Sequence, residues 1–284
     1  MKTSVLSAAL GAAVVALGAD STTTGWQEQA TVPVANPIFF ETPMIQTEVH
    51  PIYMYHRMNP SFLGVPTDVD VYALQLRYAV NDRLAIIATK DGYIEIHPKG
   101  GQTLHGWGNI AAGLKYAVAQ DEAEQYIITP GITFEAPTGS KQVFQQSGGG
   151  VVNPFISAEK GFDKLHFTGN VGVRVPVNWH ADTASIHYSG QVDYWFCRWF
   201  IPFASINAFT TLSDGGHLPF NSEGVDLVNF GSTGASGRTQ AAAGLGFRTR
   251  LCPRADLGFA YEHGITAAHD IFKDRITVDM SIRF

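Results

Sequence analysis

Apolar and polar residues alternate along most of the chain from residue 47 onward, in segments of roughly ten to thirteen residues. The segment 275–284 shows the pattern most clearly. Its apolar face carries Ile276, Val278, Met280, Ile282 and Phe284. A period of two residues is that of a β-strand with one apolar and one polar face. The same alternation recurs upstream and predicts an all-β protein.

About twelve strands are predicted. Their ranges are 47–58, 69–80, 83–94, 106–118, 125–136, 152–162, 165–177, 185–196, 199–212, 239–251, 256–263 and 275–284. Prolines interrupt four of them, at positions 51, 130, 154 and 202. Because proline cannot donate a ladder hydrogen bond, these four strands are expected to be weakened or bulged.

Short and long connections alternate between the predicted strands. The short ones are 81–82, 120–123, 161–164, 197–198 and 252–253, and the long ones are 57–67, 96–105, 137–150, 178–183, 213–238 and 264–274. Outer-membrane barrels have short periplasmic turns and long external loops. Aromatic residues near the short turns fit an interfacial girdle. The pattern therefore predicts a closed up-and-down antiparallel transmembrane β-barrel in the cell outer membrane.

The N-terminus has the pattern of a secretory signal peptide. Lys2 is followed by an apolar stretch at 5–17 and by small residues at Gly18 and Ala19. No later apolar run approaches the roughly 18 residues that a membrane helix needs. We therefore expect a signal peptide at 1–19, a periplasmic N-terminal segment or plug at 20–46, and an outer-membrane barrel at 47–284.

The charge is low and slightly negative. Charged residues make up 15% of the chain, and the formal net charge is -6. Nucleic acid is therefore not expected as a partner. The inward faces of the strands carry both signs, and the predicted lumen-lining residues are Arg77, Lys115, Glu135, Arg174, Asp193, Arg248, Arg250, Glu262 and Asp279. Either a water-filled path or a packed ion-pair network satisfies such charges.

Three smaller features add expectations about assembly and chemistry. Phe284 ends an alternating strand and resembles the insertion signal that barrel-assembly machinery reads. Cys197 and Cys252 fall in neighbouring periplasmic turns, where a disulfide is permitted, and the sequence leaves that bond open. The ten histidines show no metal-ligand spacing. The expected partners are outer-membrane lipid, the assembly machinery and a small-molecule solute, with no cofactor.

The stretch 84–180 also resembles a known family. It contains ATKDGYIEI, GWGNIAAGLKYAV, ITPGITFEAPTGS, a GGG loop, NPFISAEKGF and LHFTGNVGVRVPVN in that order. This order resembles the outer-membrane transporters named for the MetA pathway of phenol degradation. The resemblance covers about a third of the chain. It implies a barrel of about twelve strands that takes up small hydrophobic or aromatic compounds, and it supplies no catalytic residues.

We therefore expect a channel or facilitator for small solutes and not an enzyme. Two alternatives stay open. One is a structural or surface-binding barrel whose loop 213–238 binds something outside the cell. The other is an outer-membrane hydrolase, because His187 and Ser189 are two residues apart on one strand face, with Asp193 further along it. The motifs of common hydrolases and phosphate-binding loops do not occur in the sequence.

Overall fold

Fifteen β-segments build the protein in the computed structural model, which describes residues 25–60, 64–146, 148–266 and 272–284. They are β1 (Glu48–Met58), β2 (Thr67–Ala79), β3 (Leu84–Lys90), β4 (Tyr93–Pro98), β5 (Leu104–Trp107), β6 (Ile110–Tyr116), β7 (Ala119–Asp121), β8 (Tyr126–Ala136), β9 (Val151–Phe162), β10 (Leu165–Pro176), β11 (Ala184–Tyr194), β12 (Ile201–Ser213), β13 (Thr239–Cys252), β14 (Ala255–Gly264) and β15 (Phe272–Arg283). Two short 3-10 turns accompany them, at Trp26–Glu28 and Lys141–Val143.

The segments form one closed antiparallel barrel of twelve strands. β3 and β4 are two halves of the third strand, β5 and β6 are two halves of the fourth, and β7 is a short piece beside β8. Closure occurs at β1, where Tyr53 lies opposite Tyr72 of β2 and Val278 of β15. The predicted fold class is confirmed. In the described residues, no helix is long and apolar enough to cross a membrane.

The third strand is broken at Asp91 and Gly92. Gly92 has φ +115, and a Cβ there would lie 2.5 Å from the carbonyl oxygen of Tyr72, so glycine relieves a steric conflict. The Asp91 carboxylate accepts a hydrogen bond from the Leu74 backbone N–H at 2.8 Å. A side chain thus replaces the missing ladder partner, and the strand resumes as β4.

The prolines locally interrupt the sheet, as expected, but only on one side of the strand. The β1–β15 ladder has no pairs at His50 and Pro51, and the β9–β10 ladder has none at Asn153 and Pro154. The β6–β8 ladder ends at Gly131, next to Pro130. On the other side, β8 and β9 pair without a register shift, and Pro202 pairs opposite Phe247 in a regular ladder. Because each strand has a neighbour on both sides, the regular ladder holds it in place.

The connections alternate in length as predicted, with two differences. The predicted turn 197–198 widens to six residues, 195–200. The predicted loop 96–105 shrinks to five residues, 99–103, because β4 continues to Pro98 and β5 begins at Leu104. The predicted signal peptide, 1–19, lies outside the described residues. So do residues 20–24 of the predicted N-terminal segment, and residues 267–271 of the last long connection.

The two faces of the wall differ in the way a lipid-embedded barrel requires. Large apolar side chains point outward and are exposed, as at Leu245 (67%) and Ile206 (53%). Aromatic side chains are exposed near the short turns, including Tyr78 and Trp199. An apolar band flanked by aromatic residues is the surface of an outer-membrane barrel. The fold and this surface support the predicted location in the cell outer membrane.

Candidate functional site in the barrel lumen

The inward face of the barrel is polar, charged and buried. Of the nine residues predicted to line the lumen, eight are at most 7% exposed, namely Arg77, Lys115, Glu135, Arg174, Asp193, Arg248, Glu262 and Asp279. Arg250 is half-buried and lies near the end of the barrel that carries the short turns, which the connection lengths assign to the periplasm. Alternation along the strands explains this placement, because every second side chain of a barrel strand points inward.

Residues 25–46 occupy the lumen, and most of them are buried. The segment starts near the periplasmic turns, where the Trp26 N–H contacts Glu122. It turns in the lumen at Asn36, whose carbonyl accepts hydrogen bonds from the N–H groups of Phe39 and Phe40. It then returns to the periplasmic end, where β1 begins. We call residues 25–46 the N-terminal segment.

The half of the N-terminal segment that precedes Asn36 is held by polar residues of the barrel wall. The Thr31 hydroxyl donates to Asp193 at 3.0 Å, and Asp193 also contacts His166 at 2.9 Å. The Val32 carbonyl accepts a hydrogen bond from Arg248 at 2.6 Å. Because these contacts use side chains and not strand pairing, the segment is not part of the sheet.

The half of the N-terminal segment that follows Asn36 is held by a buried ion cluster around Glu41. Arg77 donates two hydrogen bonds to this carboxylate, at 2.8 and 2.7 Å, and Lys115 donates a third at 2.7 Å. Burial alone would raise the pKa of Glu41, but the charges of Arg77 and Lys115 outweigh it and lower the pKa to about 2. Glu41 is therefore ionised and tied to the wall at neutral pH.

The external loop 214–238 closes the other end of the lumen. Its residues Val225, Leu227, Val228 and Phe230 are buried against the inside of the barrel. Arg275 of β15 forms an ion pair with Asp226 of the loop. The loop therefore folds inward, which argues against the expectation that it is a flexible external binding loop.

The N-terminal segment and the external loop meet in the lumen. The Arg174 guanidinium lies 4.9 Å from the centroid of the Phe39 ring and donates to the Val225 carbonyl at 3.1 Å. Phe39 and Val225 also belong to one apolar cluster. A second link runs through Glu262, which accepts from the Asn36 N–H at 3.3 Å and pairs with Arg275. The closed lumen is thus a packed network and not a wide pore.

The suggested hydrolase pair does not form. His187 contacts Asn153 through Nε2 at 2.8 Å, and its ring lies against Phe39. Ser189 instead accepts a hydrogen bond from the Asn36 side chain at 3.1 Å. Both residues therefore hold the N-terminal segment. Within the described ranges, no group of three or more His, Cys, Asp or Glu residues could hold a metal ion.

The two cysteines are free in the structure. Cys197 is exposed in a tight turn of its own, where its N–H and carbonyl bond with Phe200. Cys252 is half-buried at the end of β13. The structure therefore shows no disulfide between them.

Sequence reasoning missed the residues that close the lumen from within. Glu41, Asn36 and Asp226 lie outside the predicted strands, so strand alternation carried no information on them. A buried carboxylate needs a partner of opposite charge. Cations outnumber acids on the inward faces of β2 and β6. This surplus was the one sequence feature that indicated a buried acid such as Glu41.

Solved structures similar to this barrel include a channel and a porin. The COG4313 outer membrane channel from Pseudomonas putida F1 gives a TM-score of 0.62 at 11% sequence identity, over 90% of this chain and 100% of that one. The NanC porin gives a TM-score of 0.50 at 10% identity, over 84% and 100% of the two chains. No protein-family model and no curated protein matches the chain. The fold is thus that of outer-membrane channels, and the phenol-pathway family is not confirmed.

Proposed function

We propose that the protein is an outer-membrane channel for small solutes that is closed at rest and opens when the N-terminal segment leaves the lumen. The observation that carries the proposal is the way this segment is held. It fills the barrel, yet it pairs with no strand. Ion pairs and hydrogen bonds to side chains of the wall hold it, together with apolar packing of Val34 and Ala35 on Phe203. The polar contacts can be exchanged for contacts with water when the segment leaves the lumen.

The fold and the surface support the same proposal. The two similar solved structures named above are an outer-membrane channel and a porin. The wall of this barrel is polar inside and apolar outside, so a lumen emptied of its segment would be a hydrated path across the membrane.

Small hydrophobic or aromatic compounds are the proposed solutes. The inner side of the external loop packs on an apolar patch that includes Val69, Ile94 and Ile96. A small apolar cavity of about 40 Å³ remains there, beside Phe144 and Phe230. The resemblance of residues 84–180 to phenol-pathway transporters favours the same solute class.

Single-channel recording tests the channel function. The protein from residue 20 onward is refolded and inserted into a planar bilayer, and its β-structure is confirmed by circular dichroism. We expect a mostly silent barrel with brief openings, and block of those openings by permeating solutes. A folded barrel that never conducts, even when Glu41 is replaced by Gln, would contradict the proposal.

A hydrolase is not supported as a second function, since His187 and Ser189 serve as contacts of the N-terminal segment. A surface-binding role for loop 214–238 is likewise weakened by the burial of residues 222–230.

A further inference from the structure

A cavity of about 600 Å³ lies at the periplasmic end of the barrel. It is bounded by the base of the N-terminal segment, residues 27–32 and 44–46, and by the turns around residues 198 and 253. Ligand pockets in proteins measure about 300–1,000 Å³. The cavity therefore has the size of a binding site for a small molecule.

Arginines dominate the charged groups of this cavity. Four of them line it, Arg198, Arg250, Arg254 and Arg283. Among its described lining residues, Glu28 is the only acidic one. Asp256 lies behind them and is shared, since it pairs with Arg250 at 2.7 Å and with Arg283 at 2.8 Å. Among the described residues, arginines therefore outnumber acids at this cavity.

The pairing of cations with acids varies along the lumen. Arg77 and Arg275 each have two carboxylates within 4 Å. Lys90 and Arg174 share the single acid Glu135. Arg250 and Arg283 likewise share Asp256 at the periplasmic end.

Apolar groups complete the lining. Met44, Ile45 and Pro253 contribute aliphatic surface, and the Trp195 ring lies 5.0 Å below the Arg250 guanidinium. Guanidinium groups bind carboxylates through paired hydrogen bonds, and aromatic rings pack against apolar bodies. The lining suits a molecule that has an anionic head and an apolar body.

We propose that this cavity binds a small organic carboxylate at the periplasmic mouth of the channel. The inference deepens the proposed function, on which its physiological meaning rests, because it names an anionic subclass of the transported solutes. Binding at this mouth also touches the base of the N-terminal segment, since Arg250 donates a hydrogen bond to the Glu28 carbonyl.

Calorimetric titration of the refolded protein in a neutral detergent tests the inference. Benzoate and benzamide serve as probes, because they share a shape and differ in charge. We expect benzoate to bind at least about tenfold more tightly than benzamide. Arg198→Gln and Arg250→Gln should each weaken benzoate binding several-fold and leave benzamide unchanged.

Arg83→Gln is the matched control, because Arg83 is exposed in another periplasmic turn, away from the cavity. Equal affinity for the two probes, no benzoate binding, or an equal loss in Arg83→Gln would overturn the inference. Binding in detergent does not require conduction. A barrel that conducts but does not bind benzoate overturns this inference alone. A barrel that binds benzoate but never conducts, even with Glu41→Gln, overturns only the channel function.

A lipid phosphate could supply the same anionic head, although Arg283 is buried on the inner side of the wall. Titration in phosphatidylcholine nanodiscs with and without phosphatidylglycerol separates the two sources. Unchanged benzoate affinity supports a free solute. A tenfold loss with the anionic lipid would assign the arginines to lipid headgroups and overturn the proposal.

Discussion

Arg77 donates two parallel hydrogen bonds to the Glu41 carboxylate. One runs from Nε to one oxygen at 2.8 Å, and the other from Nη2 to the second oxygen at 2.7 Å. Arg77 belongs to the wall, and Glu41 belongs to the N-terminal segment. This bidentate pair is therefore the strongest single tie between the barrel and the residues that fill it.

Replacing Glu41 by Gln should loosen the N-terminal segment. The change leaves Arg77 and Lys115 with less negative charge in a buried site, and breaking such a pair costs on the order of 3 kcal/mol. We expect the open probability in planar bilayers to rise about tenfold or more. Glu124→Gln, in an exposed periplasmic turn, should leave it unchanged. An equal open probability in the two variants would show that Glu41 does not hold the N-terminal segment in the lumen.

Low pH should open the channel by protonating Glu41. The pKa of Glu41 is lowered from 4.5 to about 2 when the segment is docked, because the charges of Arg77 and Lys115 overcome the effect of burial. When the segment is released, the Glu41 carboxylate takes up a proton below about pH 4.5. The free energy that favours the docked segment is therefore lost progressively between pH 4.5 and 2. Openings should become more frequent in this window. Glu41→Gln should remove this part of the response.

The external loop should be released when its ion pair with the wall is broken. Asp226→Asn weakens the contact with Arg275, so buried loop residues should reach solvent more often. A cysteine placed at Val228 in a cysteine-free background reports this exposure through its rate of labelling by an impermeant maleimide. We expect faster labelling with Asp226→Asn and no change with Asp214→Asn, an exposed residue of the same loop.

A charged side chain in the middle of a strand on the outward apolar face should destabilise the barrel. Leu245 is 67% exposed on β13, and arginine at the centre of a lipid-facing strand costs about 2–4 kcal/mol. Urea unfolding of Leu245→Arg in phospholipid vesicles should show this loss. Val65→Arg, in the external connection between β1 and β2, should cost little. Similar losses in both variants would contradict the lipid-facing assignment.

Phe284 is expected to promote membrane insertion. Its N–H donates to the Thr47 carbonyl at 3.0 Å, so it also helps to close the barrel beside β1. Deleting Phe284 should lower the yield of protein in the outer-membrane fraction, and Phe284→Tyr should retain most of it. A normal yield after the deletion would show that insertion does not depend on this residue.

Strand alternation predicted the barrel because lipid outside and polar groups inside impose a period of two on every strand. It placed Arg77, Lys115 and Arg248 on the inner face for the same reason. It could not place the N-terminal segment, because Glu41 and Asn36 are fixed by partners distant in sequence. The inward fold of loop 214–238 depends on Arg275 in the same way, and no local pattern reports such a contact.

Movement of the N-terminal segment is expected to open the lumen. Asn36 and Ser189 touch through their side chains at 3.1 Å, so cysteines at both positions can tether the segment to β11. Cys197 and Cys252 are replaced by Ser to prevent other bonds. We predict that oxidation abolishes single-channel openings and that a reducing agent restores them. Openings of unchanged size and frequency in fully cross-linked protein would contradict the account.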